Sequence, residues 1–207
     1  MIPATAAQPA YIAFEGAEGC GKSTQAARLA NDIGALLTRE TGGTAVGSRI
    51  RKILHDNTVD NLDPRAEALL TAADRAQHLS EVVIPALESG RPVVSDRSVY
   101  SALAYQGYGR CLDLDELREL NRWATRGMWP STVVFLDAPE EVTATRMSGR
   151  ALDRFEAAGD EFHERTIVGF REMAAAYPEE WITIQAVGSI DQVALQIREA
   201  LIDRGVL

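Results

Sequence analysis

The chain has 207 residues, 46% of them apolar, so it can bury a sizeable core and does not read as disordered. Thirty Asp and Glu against 21 Lys and Arg give a formal net charge of −9, which argues against a non-specific nucleic-acid or anionic-membrane binder. Two cysteines, Cys20 and Cys111, are too few for a disulfide framework, and no apolar run approaches the roughly 18 residues of a membrane span, so a reduced, cytoplasmic compartment is expected.

In chain order, residues 1–9 read as a flexible tail and 10–207 as one domain. An apolar run at Tyr11–Phe14 is followed by a glycine-rich turn and a helix-like stretch, Thr24–Ile33. A second short run, Ala35–Leu37, precedes a helix over Pro64–Leu87, opened by a capping Asp63 and a proline in the first turn. The third run is Pro92–Val94, and Asp113 with Glu116 starts a helix over Leu114–Arg126. Thr132–Leu136 and Trp181–Ile184 complete the set of runs, while residues 146–160, with three arginines and Gly159-Asp160, break the rhythm and read as a mobile insertion. Runs apolar on both faces, alternating with helices, predict an α/β fold: a parallel sheet of about five strands with helices on both faces. Ligands of such sheets sit at the carboxyl ends of the strands, which directs attention to loops 15–24, 38–44, 95–101 and 137–140.

The first of these loops carries a phosphate-binding pattern. Gly16-Ala17-Glu18-Gly19-Cys20-Gly21-Lys22-Ser23 fits GxxxxGK[ST] in full, with Thr24 next, between a strand and a helix. Glycines let the backbone turn its N–H groups inward on phosphate oxygens, and the helix N-terminus adds partial positive charge. Lys22 reaches the β- and γ-phosphates, and the Ser23 hydroxyl is a ligand for Mg²⁺. These parts predict a P-loop NTPase-like fold with a nucleoside triphosphate site. Glu18 is either a solvated carboxylate or a group turned from the triphosphate toward a second substrate's hydroxyl or the metal.

The third strand ends in Ser95-Asp96-Arg97, and Asp96 occupies the usual place of a water-mediated Mg²⁺ contact. Arg39 and Arg97 at adjacent strand ends form a second phosphate pocket, unless each serves a structural ion pair. Arg146, Arg150 and Arg154 recur every four residues, about 6 Å apart along one face if helical. They read as a solvated charge run or as a lid whose self-repulsion is relieved over a triphosphate. Two anion sites, a metal-competent Asp and an arginine lid describe phosphoryl transfer between two nucleotides. No NKxD base-reading motif occurs, which disfavours a GTPase switch.

From about Tyr11 to Tyr177 these residues resemble the thymidylate kinase family. Phe14–Thr24 is similar to its phosphate loop, Thr38-Arg39-Glu40-Thr41-Gly42-Gly43-Thr44 to its TREPGG segment, Asp96-Arg97 with Tyr105-Gln106-Gly107 to its DR…YQG signature, and Asp153-Arg154-Phe155-Glu156 to its lid. The resemblance implies transfer from ATP to dTMP with Mg²⁺, in a cytoplasmic homodimer. It implies that Arg39 and Arg97 hold the monophosphate, with Arg51 in support, and that Arg75 reaches the base. Tyr105 and Gln106 line base and deoxyribose with Thr71 and Ser101, and Glu18 meets the 3′-hydroxyl. With no arginine at positions 17–20, the lid is similar to the bacterial type that supplies the catalytic guanidinium. Arg150 is assigned that role, beside Lys22, Asp96 and Arg97, with Arg146 and Arg154 on the ATP. Two positions depart from the family: Thr41 stands where it usually has Pro, and Thr71 where a Phe stacks on the thymine. Losing that platform removes about 1–3 kcal/mol of stacking. A kinase for another deoxynucleoside monophosphate, modified or not, and a non-catalytic nucleotide-binding regulator are the alternatives; an acceptor panel separates the first, and turnover against binding the second.

Overall fold

A computed structural model describes residues 9–149 and 152–207. Five strands form one parallel sheet in the order β2-β3-β1-β4-β5: β1 (Tyr11–Gly16), β2 (Leu36–Arg39), β3 (Val93–Asp96), β4 (Thr132–Asp137) and β5 (Trp181–Gln185). Each matches an expected run, shifted or extended at its ends by up to two residues. Alternate β1 side chains enter opposite layers, as the pleat requires. Ile12 and Phe14 pack with Leu29 and Ala30 of α1 (Lys22–Ile33) and with Val193, Ile197 and Leu201 of α9 (Ile190–Asp203). On the other face Tyr11 and Val93 meet Leu79 and Val83, while Val133 and Phe135 meet Leu103, Phe170 and Trp181.

The remaining helices are α2 (Ala45–His55), α3 (Pro64–His78), α4 (Ile84–Glu88), α5 (Val99–Ala102), α6 (Leu114–Thr125), α7 (Glu140–Met147) and α8 (Asp160–Ala176). The helix expected over Pro64–Leu87 is divided. Asp63 caps α3 by accepting from the Arg65 and Ala66 amides, and a π-helical turn, Leu79–Val83, joins α3 to α4 just before Pro85, which has no N–H to donate. A second π segment, Leu103–Gly109, follows α5 directly and carries Tyr105 and Gln106.

Register positions the site. Phe14 pairs with Asp96 and Thr38 with Ser95, so the loops after β1, β2 and β3 leave the sheet at one level. The expected run of arginines down one helical face is not formed. α7 ends at Met147, Ser148 adopts extended geometry and Gly149 follows at φ +83°, so Arg146 and Arg154 belong to different elements. Residues 1–8 of the expected tail, and Arg150, lie outside the described residues.

Candidate active site

The three loops enclose a cleft of about 510 Å³, within the range of small-molecule sites. One wall is the phosphate loop. Gly16 has φ +143°, and a Cβ there would sit 2.6 Å from the Leu136 carbonyl oxygen, so only glycine lets the loop leave β1 against β4. Gly21, at φ +103°, opens α1 with no side-chain cap and no acid in the first turn. The first amides of a twelve-residue helix therefore face the cleft with the positive end of its dipole. The Lys22 ammonium lies within the loop, donating to the Ala17 carbonyl at 2.7 Å, and reaches Cys20 Sγ at 3.7 Å. Cys20 itself is buried with Phe14 and Leu136, a packing residue beneath the loop. Arg146 Nη1 donates to the Gly19 and Cys20 carbonyls, both at 3.2 Å, which sets the guanidinium against the phosphate loop.

At the floor, Ser23 Oγ donates to Asp96 Oδ2 at 2.5 Å. The next residue, Arg97, takes left-handed backbone geometry at φ 72°, a conformation that costs a non-glycine residue about 1–3 kcal/mol and turns this side chain back across the cleft. It donates to Glu18, to Tyr105 Oη at 3.0 Å, to Ser101 Oγ at 3.1 Å and to the Gly16 carbonyl. Thus the anion beside Arg97 is Glu18 of the phosphate loop. Burial works against the Arg97 cation, but Glu18, Tyr105, Glu15 and Asp96 outweigh it and hold the guanidinium charged well above its ordinary range. Beneath it the buried Glu15 accepts from the Ser98 amide and hydroxyl and from the Ser101 amide and hydroxyl, which ties the segment after β3 to β1. Burial pushes the Glu15 carboxyl up, with Arg97 and the serines offsetting part of the rise. Burial likewise raises Tyr105, which stays a neutral phenol.

Arg39, at the end of β2, and Arg51 of α2 line the same cleft as Arg97. Arg51 donates to the Thr41 carbonyl at 3.1 Å, and its guanidinium is lowered first by burial and then by the charge of Arg39. Three guanidiniums meet here, with Glu18 bonded to Arg97 and the charges of Asp153 and Glu18 acting on Arg51, and their planar donors suit phosphate oxygens. Deeper in, Arg75 is 2% exposed and held on three sides: its Nε donates to Glu40 at 2.8 Å, Nη1 to Asn121 and Nη2 to the Ser98 carbonyl. Glu40 also bonds His78 Nδ1 at 3.0 Å. Burial alone would raise the Glu40 carboxyl, but Arg75 and His78 outweigh it and hold it below the usual carboxylate range. Thr71 lines the cleft with its hydroxyl satisfied by the Ala68 carbonyl at 2.8 Å, and Gln106 lines it from the π segment.

Most of the residues singled out from sequence therefore meet here. Of the ATP set, Glu18, Gly19, Gly21, Lys22, Ser23, Thr24 and Arg146 line the cleft, with Gly16, Ala17 and Cys20 completing the loop behind them. Arg154 does not join them. Its Nη2 donates to the buried Glu67 at 2.6 Å and its Nε to the Leu54 carbonyl at 2.8 Å, so it is a structural tie of the 152–156 segment. Loop 137–140 also stays outside, Asp137 being engaged by Arg171 at 3.0 Å.

Sequence reasoning missed three groups. His55 lines the cleft and bonds Asp153 at 2.6 Å. His78 is the buried support of Glu40. Phe155 was noted only as part of a motif, yet it lines the cleft, with ring centroids 5.2 Å from His55 and 5.9 Å from Tyr105. The cleft that lacks an aromatic at Thr71 thus has one from the 152–156 segment. Tyr100 and Tyr108 do not substitute: their hydroxyls bond Glu180 and Glu172 away from it. The only sequence signal for Phe155 was its neighbours in Asp153-Arg154-Phe155-Glu156.

Comparison with known proteins gives the family. The family model described as thymidylate kinase matches residues 14–197. The thymidylate kinase of a Synechococcus species is 46% identical over 192 residues, covering 90% of this chain and 91% of its own length. That of a Geobacter species is 42% identical over 203 residues (92% and 90%), and that of Cutibacterium acnes 43% over 194 (91% and 94%). By family match and by full-length similarity, the chain belongs to the thymidylate kinase family.

Proposed function

We propose that the chain transfers the γ-phosphoryl group of ATP to dTMP, giving dTDP and ADP. The observation that carries this reading is one cleft with two cationic walls, the α1 N-terminus with Lys22 and Arg146 on one side and Arg39, Arg51 and Arg97 on the other. The phosphate-loop amides and Lys22 bind the donor phosphates, while the three arginines hold the acceptor monophosphate in line. A phosphate's second pKa is about 6, so the attacking oxygen is already anionic near neutral pH and no side chain need take a proton from it. Positioning and charge stabilisation then account for catalysis. Arg97, fixed by Glu18 and Tyr105, sets the acceptor phosphate, and Arg146, poised on the loop carbonyls, answers charge on the transferring group. Arg150 is a further candidate for that second role. Tyr105 crowds the sugar edge where a ribose 2′-hydroxyl would sit, and Arg75 reaches the base with its guanidinium fixed by Glu40, Asn121 and the Ser98 carbonyl.

Ser23 Oγ and Asp96 Oδ2 are adjacent hard oxygens, and no cluster of three or more His, Cys, Asp or Glu able to hold a metal occurs among the described residues. That donor set fits Mg²⁺ held by one or two protein oxygens together with substrate phosphates. Held by Ser23 and Asp96, such an ion would supply positive charge to offset that of the phosphates. Residues 146–160 are assigned as the lid.

A homodimer is part of the proposal. Arg65 of α3 reaches Glu116 of α6 at 3.4 Å, and the exposed Leu69 and Trp123 lie one and two turns further along those same faces, where a second copy would cover them. A cytoplasmic setting agrees with the unpaired Cys20 and Cys111 and with the absence, among the described residues, of a helix long and apolar enough to cross a membrane.

The test is ADP release with ATP·Mg²⁺ and dTMP, dUMP, dCMP, dGMP or dAMP. Preferred turnover of dTMP is the expected result. Preference for another acceptor overturns the substrate, and no turnover with any of them, despite ATP binding, overturns the dTMP reading in favour of a modified nucleotide or a non-catalytic regulator.

A further inference from the structure

Below the base end of the cleft lies a buried carboxylate that the transfer reaction does not use. Glu67, in the first turn of α3, is 0% exposed. Its Oε2 accepts from Arg154 Nη2 at 2.6 Å and lies 3.2 Å from Arg110 Nη2 in an ion pair, and its Oε1 accepts from Arg110 Nε at 3.3 Å and Gln106 Nε2 at 2.9 Å. Arg110 is itself held over the Phe162 ring at 4.4 Å. Flanked by two guanidiniums, Glu67 is an acceptor at both oxygens, so only the NH₂ end of the Gln106 amide can face it. An amide is otherwise close to symmetric in shape and can turn over; here the carboxylate decides which way it points. Gln106 lines the cleft, and among the described residues no group donates to its Oε1.

We propose that Glu67 is a positioning residue that fixes the Gln106 amide with its carbonyl oxygen toward the acceptor's base, so that the cleft selects a base edge offering an N–H donor. The inference rests on the dTMP kinase reading and deepens it. A thymine or uracil imide supplies N3–H to that oxygen, whereas cytosine presents a lone pair at N3. Arg154 binds the other Glu67 oxygen, so the element that orients the base reader also anchors the 152–156 segment.

The experiment measures kcat/KM for dTMP, dUMP and dCMP with the wild type, Glu67→Gln, Gln106→Ala and the double variant. A glutamine at 67 can donate as well as accept, which frees the Gln106 amide to reverse. Glu67→Gln should lower the dTMP-to-dCMP ratio about tenfold, mainly through KM, as loss of one base-edge hydrogen bond does. The dTMP-to-dUMP ratio should stay within about twofold, since both bases carry the imide, and Glu67→Gln should add nothing further in the Gln106→Ala background. An unchanged dTMP-to-dCMP ratio overturns the proposal. So does a parallel fall of both ratios, or an equal fall without Gln106, because either marks a loosened pocket. Should Glu67→Gln fail to fold, Glu67→Asp keeps an acceptor-only carboxylate and should preserve the preference; its loss there overturns the proposal too. A wild type that uses dTMP and dCMP equally refutes this inference and leaves the kinase standing, whereas one that uses none of the three refutes the underlying reading.

Discussion

Removing the Glu40 carboxylate isolates the energetics that hold the buried Arg75 in the cleft. Glu40 is 4% exposed and bridges Arg75 and His78, which are 2% and 0% exposed. In Glu40→Ala both lose their shared acceptor at a site almost closed to water. Breaking a buried pair from one side is strongly destabilising, about 3–5 kcal/mol, because the surviving charge stays buried. Arg75 keeps Asn121 and the Ser98 carbonyl, so the lower end, about 3 kcal/mol, applies. In a chain of this size each kcal/mol moves the thermal midpoint about 2–4 °C, giving a fall of about 6–12 °C. Glu40→Gln should lose about half as much: its oxygen still serves Arg75, and His78 can change tautomer to meet the amide NH₂ while keeping Thr38 at 2.6 Å. Urea unfolding followed by circular dichroism measures these differences at pH 7. A second readout comes from the titration. The folded Glu40 carboxyl is held below its ordinary value, so its contribution is complete above the unfolded pKa of about 4.3 and disappears as pH falls through the lower folded value. The gap between wild type and Glu40→Ala should therefore narrow only on the acid side of about pH 4. A loss under about 1 kcal/mol at pH 7, or a gap that widens with acid, refutes the paired-charge account.

Three further outcomes follow from the cleft. Lys22→Ala should retain the native circular dichroism spectrum and lower kcat by about 10²–10³ or more, as removal of one preorganised charge does; unchanged turnover sinks the phosphate-loop assignment. Arg146→Ala and Arg154→Ala should separate: the first lowers kcat with little change in dTMP KM, whereas the second lowers thermal stability and raises dTMP KM, since Arg154 ties Leu54 and Glu67. Equal kinetic signatures for the two would refute that division. Phe155→Ala should raise dTMP KM about tenfold, within the range of one lost base–aromatic contact, while ATP KM moves little; an unchanged dTMP KM would show that the ring does not meet the base.

Much of this protein was legible along the chain because its information is local. Strands apolar on both faces mark a covered parallel sheet wherever they occur, and Asp63-Pro64 sets a helix start through an oxygen and a missing N–H within four residues. The phosphate loop is eight consecutive residues whose chemistry lies in the backbone, so reading Gly16–Ser23 amounts to reading the site. Arg39 and Arg97 were legible as strand-end residues because parallel register brings strand ends to one level.

What tertiary structure alone decided is which partner each charge takes. Arg146 and Arg154 look equivalent at a spacing of eight, but a helix that stops at Met147 sends one to the phosphate loop and the other to Glu67. Phe155 and Thr71 are 84 positions apart, and the aromatic wall passes to a different element with no local trace of it in either segment. The π turn that presents Gln106 and the carboxylate that orients it are likewise remote in sequence. Backbone propensity and motif chemistry act over a few residues. A buried carboxylate satisfied by Arg110, Arg154 and Gln106 exists only once burial excludes water and the fold brings those donors within 3.3 Å or less.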